Sequence, residues 1–338
     1  MACPFPAAAR PAIDRALMKA FATVDFDSAT PISGGLGGAG LWRIRVGGIA
    51  YVLRIEGPRD AFRDPARGYA CMDIAAGALL APRVRYACAA DGVAIMDLVA
   101  PRSLALDYPG DSHGLVVELA RAVRLLHQTP AFPPLVDYMD GLDALIGQHQ
   151  GTDLLHPAAT DELFARHGDL RAAYCTLESD RVSSHNDLNP GNVLYDGERL
   201  WLIDWESAFL ADRYVDLATV ANWFARGPAA EDALLTTYFG RAPSKEERAR
   251  FHLMRQVNHI FYGVMFLNGV AAERPGARLD DRTLAGPSLQ ALGQRLGTGA
   301  FSLSAWEDRV TYGKARLAAA LDGLREPAFA EALAALPA

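Results

Sequence analysis

The sequence has few cysteines and no long apolar run, and these absences exclude several classes of protein. Its four cysteines, Cys3, Cys71, Cys88 and Cys175, are scattered without a C-x-x-C pair. This argues against a disulfide framework or a zinc site and favours a reducing cytoplasm. The N-terminus lacks the continuous apolar stretch of a signal peptide, and no run of about 18 apolar residues could span a bilayer. We therefore expect a cytoplasmic protein without a membrane partner.

The charged residues and histidines exclude other partners. The net charge is -7 and no run of Lys or Arg stands out, so we expect no nucleic-acid partner. The eight histidines show no H-E-x-x-H or comparable ligand spacing, which argues against a histidine metal site. The 338 residues, 51% hydrophobic and 22% charged, are typical of a globular protein large enough for two lobes. The oligomeric state cannot be inferred from the sequence.

The character of the predicted secondary structure changes near residue 99. Before that point we predict strands at Leu41–Val46, Ile49–Ile55 and Val93–Val99 and helices at 11–22 and 68–80. After it we predict helices at 115–127, 137–149, 159–178, 213–225, 229–239, 245–268 and 305–323, and a hairpin of Val193–Tyr195 and Leu200–Ile203. The pattern predicts an α+β, two-lobe fold with a β-rich N-lobe at 1–98 and a mostly helical C-lobe at 99–338.

The strongest functional pattern is His185-x-Asp187-x4-Asn192, followed by Asp204 at the end of a predicted strand. Phosphoryl transfer needs a carboxylate that orients the attacking hydroxyl and accepts its proton, together with oxygen ligands for magnesium. Asp187 fits the first role, and Asn192 and Asp204 fit the second. The catalytic loop of protein kinases has the same H-x-D-x4-N spacing, so we predict His185 and Asp187 as catalytic residues.

A glycine-rich segment precedes the first predicted hairpin. Gly35, Gly37 and Gly40 form a G-x-G-x-x-G match. Strands rather than a helix follow it, which is the context of a kinase loop that covers the ATP phosphates. A flexible glycine-rich linker is the alternative interpretation.

Further residues are predicted to surround ATP. Val52 and Arg54 share one face of a predicted strand, where Val52 would cover the adenine and Arg54 would contact the phosphates. A surface arginine on an edge strand is the alternative for Arg54. The remaining predicted contacts are a hinge of Met96, Asp97 and Val99, which would bind the adenine edge through the backbone, and Leu194, which would form the floor.

Three sequence segments together resemble the aminoglycoside phosphotransferase and choline kinase superfamily, which has a protein-kinase-like fold. The resemblance rests on His185–Asn192, on Ile203–Glu206 and on Asp216–Ala218, within residues 30–225. It implies an ATP- and Mg²⁺-dependent phosphotransferase whose acceptor is a hydroxyl of a small molecule. Because the interval from Asp204 to Asp216 leaves no room for an activation loop, we do not expect a protein kinase.

The phosphate-binding arginine lacks one expected partner. In the superfamily a Glu on the N-lobe helix pairs with the basic residue of the strand. The helix predicted at 68–80 has no Glu in that register, and Asp64 and Asp73 are the candidate replacements. A pseudokinase that binds nucleotide without catalysis is therefore a functional alternative.

The acceptor stays open among a choline- or ethanolamine-like alcohol, an aminoglycoside and another sugar, amino-acid or metabolite alcohol. Asn186 resembles the choline kinases, because the antibiotic-modifying branch usually has Gly at that position. If the predicted strand continues as far as Glu206, this side chain shares a face with Asp204, and we predict that it attracts a cationic acceptor. Pairing of Glu206 with Arg213 is the alternative.

Overall fold

The structure is a computed structural model that describes residues 4–32, 38–102, 104 and 107–337. Packing divides the chain into two compact units. One contains residues 1–135, 181–216 and 223–240, and the other contains residues 136–180, 217–222 and 241–338. The lobe boundary near residue 99 stays a prediction.

A five-stranded antiparallel sheet forms the N-terminal part of the first unit, with the strand order β1-β2-β3-β5-β4. Its strands are β1 (Ser28–Pro31), β2 (Gly40–Val46), β3 (Ile49–Ile55), β4 (Val84–Cys88) and β5 (Val93–Asp97). Two short antiparallel ladders follow, which pair β6 (Arg181–Ser184) with β9 (Phe209–Asp212) and β7 (Val193–Tyr195) with β8 (Leu200–Leu202).

The rest of the described chain is mostly helical. The α-helices are α1 (Arg10–Phe21), α2 (Pro65–Gly77), α3 (Ser112–His127), α4 (Tyr138–Gln150), α5 (Asp161–Ala173), α6 (Arg213–Phe224), α7 (Pro228–Phe239), α8 (Lys245–Glu273), α9 (Leu289–Gly297), α10 (Trp306–Arg325) and α11 (Pro327–Leu333). Within the described residues, no helix combines the length and apolar character that a bilayer-spanning segment requires.

The five-stranded sheet has one face in a hydrophobic core beneath α1. Leu17 of α1 packs there with Ile44 of β2, Leu53 of β3 and Ile95 of β5. Each of the four is at most 1% exposed. Because successive strand residues point to opposite faces, the even-numbered residues of β3 lie on the other side of the sheet.

In the second unit, α8 packs along α10 at two glycines. A Cβ atom on Gly313 of α10 would lie 2.7 Å from Leu267 Cγ and 3.2 Å from the Gly263 carbonyl oxygen of α8. The two helix backbones approach closely because neither glycine carries a side chain.

Several predicted elements have different ends in the structure. The strand predicted at Val93–Val99 ends at Asp97. The Asp97 N–H donates to the Arg83 carbonyl, which precedes β4. The helix predicted over 159–178 ends at Ala173, because Tyr174 has an extended backbone. The elements that the sequence did not predict are β1, β4, β6, β9, α9 and α11.

Candidate active site

The alternation of β3 decides where Arg54 points. Leu53 is fully buried under α1, so Val52 and Arg54 lie on the opposite face of the sheet. That face borders a cavity of about 440 Å³, and both side chains line it. The volume lies within the range of small-molecule and cofactor sites.

Three carboxylates surround the guanidinium of Arg54. Its Nε donates to Glu56 Oε1 at 2.8 Å, its Nη1 to Asp204 Oδ1 at 3.1 Å and its Nη2 to Glu206 Oε2 at 2.9 Å. Burial disfavours the charged guanidinium, but the carboxylates more than offset this and raise the pKa of Arg54. Arg54 is therefore a fixed cation inside the cavity.

Asp187 follows β6 and is held by two asparagines. Asn189 Nδ2 donates to Asp187 Oδ1 at 2.9 Å, and Asn192 Nδ2 donates to Asp187 Oδ2 at 3.0 Å. Asn192 Nδ2 also donates to the Asp187 carbonyl at 2.9 Å. These bonds use the amide nitrogen of Asn192 and leave its amide oxygen for another ligand.

Asp216 fixes the backbone of the loop that carries Asp187. It is fully buried and accepts hydrogen bonds from the backbone N–H groups of His185, at 2.9 Å, and Asn186, at 2.7 Å. His127 Nε2 lies 3.1 Å from Asp216 Oδ2, and His127 Nδ1 lies 2.8 Å from Tyr238 Oη. Burial would raise the pKa of Asp216, but the hydrogen bond and charge of His127 hold it below its usual range.

His185 connects the loop that carries Asp187 to the chain segment before Asp204. Its buried ring donates from Nε2 to the Ile203 carbonyl at 2.9 Å. The Ile203 N–H in turn donates to the Asn192 carbonyl at 3.0 Å. The two bonds bring Asn192 beside the residue that precedes Asp204, so the structure places His185 as a support of the loop.

Asp204 has a left-handed backbone, with φ 66° and ψ 74°. Few non-glycine residues adopt it, and such strain is concentrated at functional sites. The Asp204 carboxylate and the Asn192 amide supply hard oxygen donors, which suits Mg²⁺ held by one or two protein ligands and the substrate phosphates. Among the described residues there is no group of three or more His, Cys, Asp or Glu side chains arranged to hold a metal ion.

The cavity also contains the residues predicted to surround adenine. Val52 and Leu194 line it together with the hinge residues Met96, Asp97, Leu98 and Val99. The Asp97 carboxylate pairs with Arg85 at 2.6 Å. Within the described residues the N–H groups of Leu98 and Val99 make no hydrogen bond. The hinge backbone therefore has donors available for a flat heterocycle.

The glycine-rich segment is described only in part. Gly35 and Gly37 lie outside the described residues. Gly40 begins β2, and Leu41, the next residue, lines the cavity. The covering role of the segment stays a prediction.

Neither candidate for the missing helix carboxylate contacts Arg54. Asp64 is the N-cap of α2, where its side chain accepts from the Ala66 N–H at 2.9 Å. Asp73 is exposed. Arg54 is instead paired with Glu56, which the sequence interpretation missed although the spacing Arg54-x-Glu56 puts both on one strand face.

Arg67 of α2 is a second residue that the sequence did not reveal. Its guanidinium is buried and donates to the carbonyls of Ala61, Phe62, Glu206 and Ala208. The first two carbonyls precede α2 and the other two follow Asp204. Arg67 therefore ties α2 to the segment that carries the candidate magnesium ligand.

Glu206 lies in a 3₁₀ turn, Trp205–Ser207, and not in a strand. The prediction that a strand would carry Asp204 and Glu206 on one face was wrong, because β8 ends at Leu202. Glu206 pairs with Arg54, so the proposed pairing with Arg213 is also not seen. Burial, followed by the charge of Asp204, raises the pKa of Glu206. Its contact with an acceptor stays a prediction.

The β-sheet, the helical remainder and the arrangement around Asp187 define a protein-kinase-like phosphotransferase fold. Residues 28–252 match the family model "Phosphotransferase enzyme family", and the chain belongs to that family. This confirms the predicted superfamily and fold class.

Three known proteins illustrate what the chain resembles. Protein LicA of Haemophilus influenzae is 38% identical over 69 residues, which are 20% of this chain and 26% of LicA. The chain thus matches about a quarter of that curated relative. A choline/ethanolamine kinase family protein from Mesorhizobium loti has a TM-score of 0.66 at 21% identity, over 91% of this chain and 92% of that one. The GDP and kanamycin complex of APH(2")-IIia has a TM-score of 0.57 at 16% identity, over 77% and 92%. At these identities the two structures establish the fold alone.

Proposed function

We propose that this protein transfers the γ-phosphoryl group of ATP, with Mg²⁺, to a hydroxyl of a small molecule. The observation that carries the proposal is the arrangement of Asp187, Asn192, Asp204 and Arg54. Arg54, Asn192 and Asp204 line one cavity, where they supply a buried cation and two oxygen donors. Asp187 supplies a carboxylate that is hydrogen-bonded to Asn192. These are the parts that phosphoryl transfer requires.

In this mechanism Asp187 accepts a hydrogen bond from the acceptor hydroxyl and takes its proton. The acceptor oxygen forms a bond to the γ-phosphorus as the bond from that phosphorus to the bridging oxygen breaks, and ADP leaves. Arg54 neutralises charge on the phosphates, and the hinge residues hold the adenine. Magnesium held by Asn192 and Asp204 would supply further charge neutralisation.

For the acceptor we propose a cationic alcohol of the choline or ethanolamine type. The similarity to a choline/ethanolamine kinase family protein supports this class. An aminoglycoside is the second candidate, supported by the similarity to a kanamycin complex. Both acceptors carry positive charge and hydroxyl groups, which suits a chain with a net charge of -7.

Asn186 does not discriminate between the two acceptors. Its φ is 64°, in the left-handed region that Gly and Asn both tolerate. Its side chain donates to the Ser207 carbonyl at 2.9 Å and accepts from Ser184 Oγ at 2.8 Å. The choice between Asn and Gly at this position is therefore explained by the backbone.

We also propose the cytoplasm as the compartment of the protein. ATP is abundant there, and the free thiols of Cys71, Cys88 and Cys175 suit a reducing environment.

The test is a screen of hydroxyl acceptors with ATP and MgCl₂, read by ADP formation and by mass spectrometry of the product. Choline, ethanolamine and kanamycin are the first acceptors. We expect phosphorylation of a cationic alcohol by the wild type. Asp187→Asn should lower kcat by about 10² to 10⁴ with nearly unchanged ATP affinity.

Two outcomes would contradict the proposal. ATP binding without turnover on any hydroxyl acceptor would favour a pseudokinase. Retention of more than about half of the wild-type kcat by Asp187→Asn would exclude Asp187 as the base. A preference for kanamycin over choline would replace the first acceptor class by the second.

A further inference from the structure

The unusual feature of the nucleotide cavity is that its helix contributes no carboxylate to the basic residue of the strand. The acidic residues of this region of α2 are Asp64, which caps the helix, and Asp73, which is exposed. A flexible arginine still needs a fixed partner, because an unrestrained side chain loses rotamer entropy when it binds phosphate.

Glu56 is the best-protected partner of Arg54. The Glu56 side chain is 13% exposed, whereas Asp204 is 36% and Glu206 is 29% exposed. The Glu56 N–H bonds the Gly92 carbonyl at 2.9 Å, so the strand pairing of β3 continues through this residue. Glu56 and Arg54 thus share one face of a rigid element.

The other two partners of Arg54 have competing demands. Asp204 is also the proposed magnesium ligand, and a carboxylate oxygen that binds a divalent cation is a weaker partner for a guanidinium. Glu206 belongs to the turn that follows Asp204, and its side chain is more exposed than that of Glu56. We therefore expect Glu56 to be the main carboxylate partner of Arg54 when ATP and magnesium are bound.

Tyr69 of α2 faces the same cavity. It is 8% exposed, and its hydroxyl meets no hydrogen-bond partner among the described residues. Burial is the largest cause of the raised pKa of Tyr69, and the charge of Glu56 is the next. A buried phenol that stays protonated beside a carboxylate is a natural donor to it.

We propose that Glu56 and Tyr69 are positioning residues that together replace the missing helix carboxylate. Glu56 holds Arg54 toward the ATP phosphates. The buried Tyr69 hydroxyl, which has no partner among the described residues here, donates to Glu56 when the nucleotide is bound, and this bond fixes the pair to α2. The inference rests on the proposed function, since it assigns Arg54 to the phosphates.

The test measures ATP binding by calorimetry in MgCl₂ without acceptor, for Glu56→Gln, Tyr69→Phe and the double variant. We expect Glu56→Gln to weaken ATP binding about tenfold and Tyr69→Phe about threefold. Because Tyr69 acts through Glu56, the double variant should bind ATP no more weakly than Glu56→Gln alone.

Steady-state kinetics on the best acceptor separates positioning from a general loss of structure. We expect the ATP KM to rise in the same ratio as the dissociation constant, with the acceptor KM unchanged. Glu56→Asp, which keeps the charge on a shorter side chain, should bind ATP with an affinity between those of the wild type and Glu56→Gln.

Matched controls come from the same elements. Asp73→Asn removes a carboxylate from α2, and Tyr51→Phe removes the hydroxyl of a buried tyrosine on the other face of β3. Both should leave ATP binding unchanged. An equal loss in Asp73→Asn would overturn the inference in favour of a helix carboxylate.

The remaining outcomes are equally decisive. Unchanged ATP binding in Glu56→Gln would overturn the inference while the proposed function stands. Additive losses in the double variant would separate Tyr69 from Glu56 and overturn their joint role. A wild type that does not bind ATP would contradict the proposed function itself.

Discussion

At the scale of single residues, the backbone of Asp204 limits which substitutions are informative. Asn tolerates the left-handed conformation at φ 66°, so Asp204→Asn removes the charge without adding backbone strain. We expect Mg²⁺ to strengthen ATP binding by the wild type, and this gain to fall by about tenfold or more in Asp204→Asn. Calorimetry with and without MgCl₂ measures it.

Asp73→Asn serves as the control for this experiment, because Asp73 is exposed on α2. It should keep the full magnesium effect. If magnesium increases the ATP affinity of Asp204→Asn as much as that of the wild type, Asp204 is not a magnesium ligand.

Residue positions were predictable where a local rule decides them. The two-residue period of a strand puts Val52 and Arg54 on one face, and the same rule applied once more gives Glu56. The partners of Arg67 could not be inferred, because its four carbonyls come from segments far apart in sequence. No periodicity of α2 indicates that an arginine will be buried there.

At the scale of elements, Arg67 is the attachment of α2. Arg67→Met keeps most of the apolar stem but leaves four carbonyls without their donor. We expect the free energy of unfolding to fall by about 3 kcal/mol, because buried polar groups lose their partners. Urea denaturation of both variants provides the comparison.

Arg63→Met is the matched control, since Arg63 is exposed and pairs with the exposed Asp60. It should change the free energy of unfolding by less than about 0.5 kcal/mol. An equally small change in Arg67→Met would mean that water replaces the guanidinium without cost.

The contact between α8 and α10 gives a second prediction at this scale. In Gly313→Ala the new methyl group meets Leu267 Cγ at 2.7 Å. We expect a loss of about 1–3 kcal/mol in the free energy of unfolding, although Ala favours a helix by about 1 kcal/mol relative to Gly.

Gly269→Ala is the control, because nothing lies within 4 Å of a Cβ at this exposed position of α8. Here helix propensity alone acts, and we expect a gain of about 0.5–1 kcal/mol. If both substitutions increase the free energy of unfolding in thermal or urea experiments, α8 and α10 can move apart at little energetic cost.

Long periodic elements were predicted, and so were the three-residue strands β7 and β8, because the turn at Asp196-Gly197 marks their hairpin. α3, α7 and α8 were found from their apolar periodicity, with ends shifted by a few residues. β6 and β9 have only four residues each, and their pairing depends on contacts between distant segments. Strands of this length that are not joined by a recognisable turn carry too few alternating positions to stand out in a sequence.

At the scale of the whole molecule, a buried histidine makes stability depend on pH. Burial lowers the pKa of His149 from 6.5 to about 4. The folded chain therefore keeps His149 neutral while the unfolded chain binds a proton below pH 6.5. The stabilising contribution is complete above that pH and falls by roughly 3 kcal/mol as the pH decreases toward 4.

We expect His149→Gln to flatten the pH dependence of the free energy of unfolding between pH 7 and 4. Urea titrations at several pH values provide the measurement. His113 is exposed at the start of α3, and His113→Gln should leave the slope as in the wild type. A slope that is unchanged in His149→Gln would assign the acid sensitivity to other groups.

The fold and family of the whole molecule followed from one short segment. The spacing of Asp187, Asn192 and Asp204 is specific because the same chemistry requires all three residues. The division into compact units could not be inferred, because the chain crosses between them several times. The hydrophobic periodicity of a sequence does not show where the chain passes from one unit to the other.

The anchoring of α2 by Arg67 has a consequence for regulation. Many protein kinases are switched by moving their N-lobe helix toward or away from the ATP site. Here the guanidinium of Arg67 on α2 donates to carbonyls of the segment after Asp204. An outward movement of α2 would therefore deprive a buried cation of these hydrogen-bond partners. For the proposed phosphotransferase we therefore expect no inactive conformation that is reached by moving α2. Its reaction rate should depend on the concentrations of ATP and the acceptor.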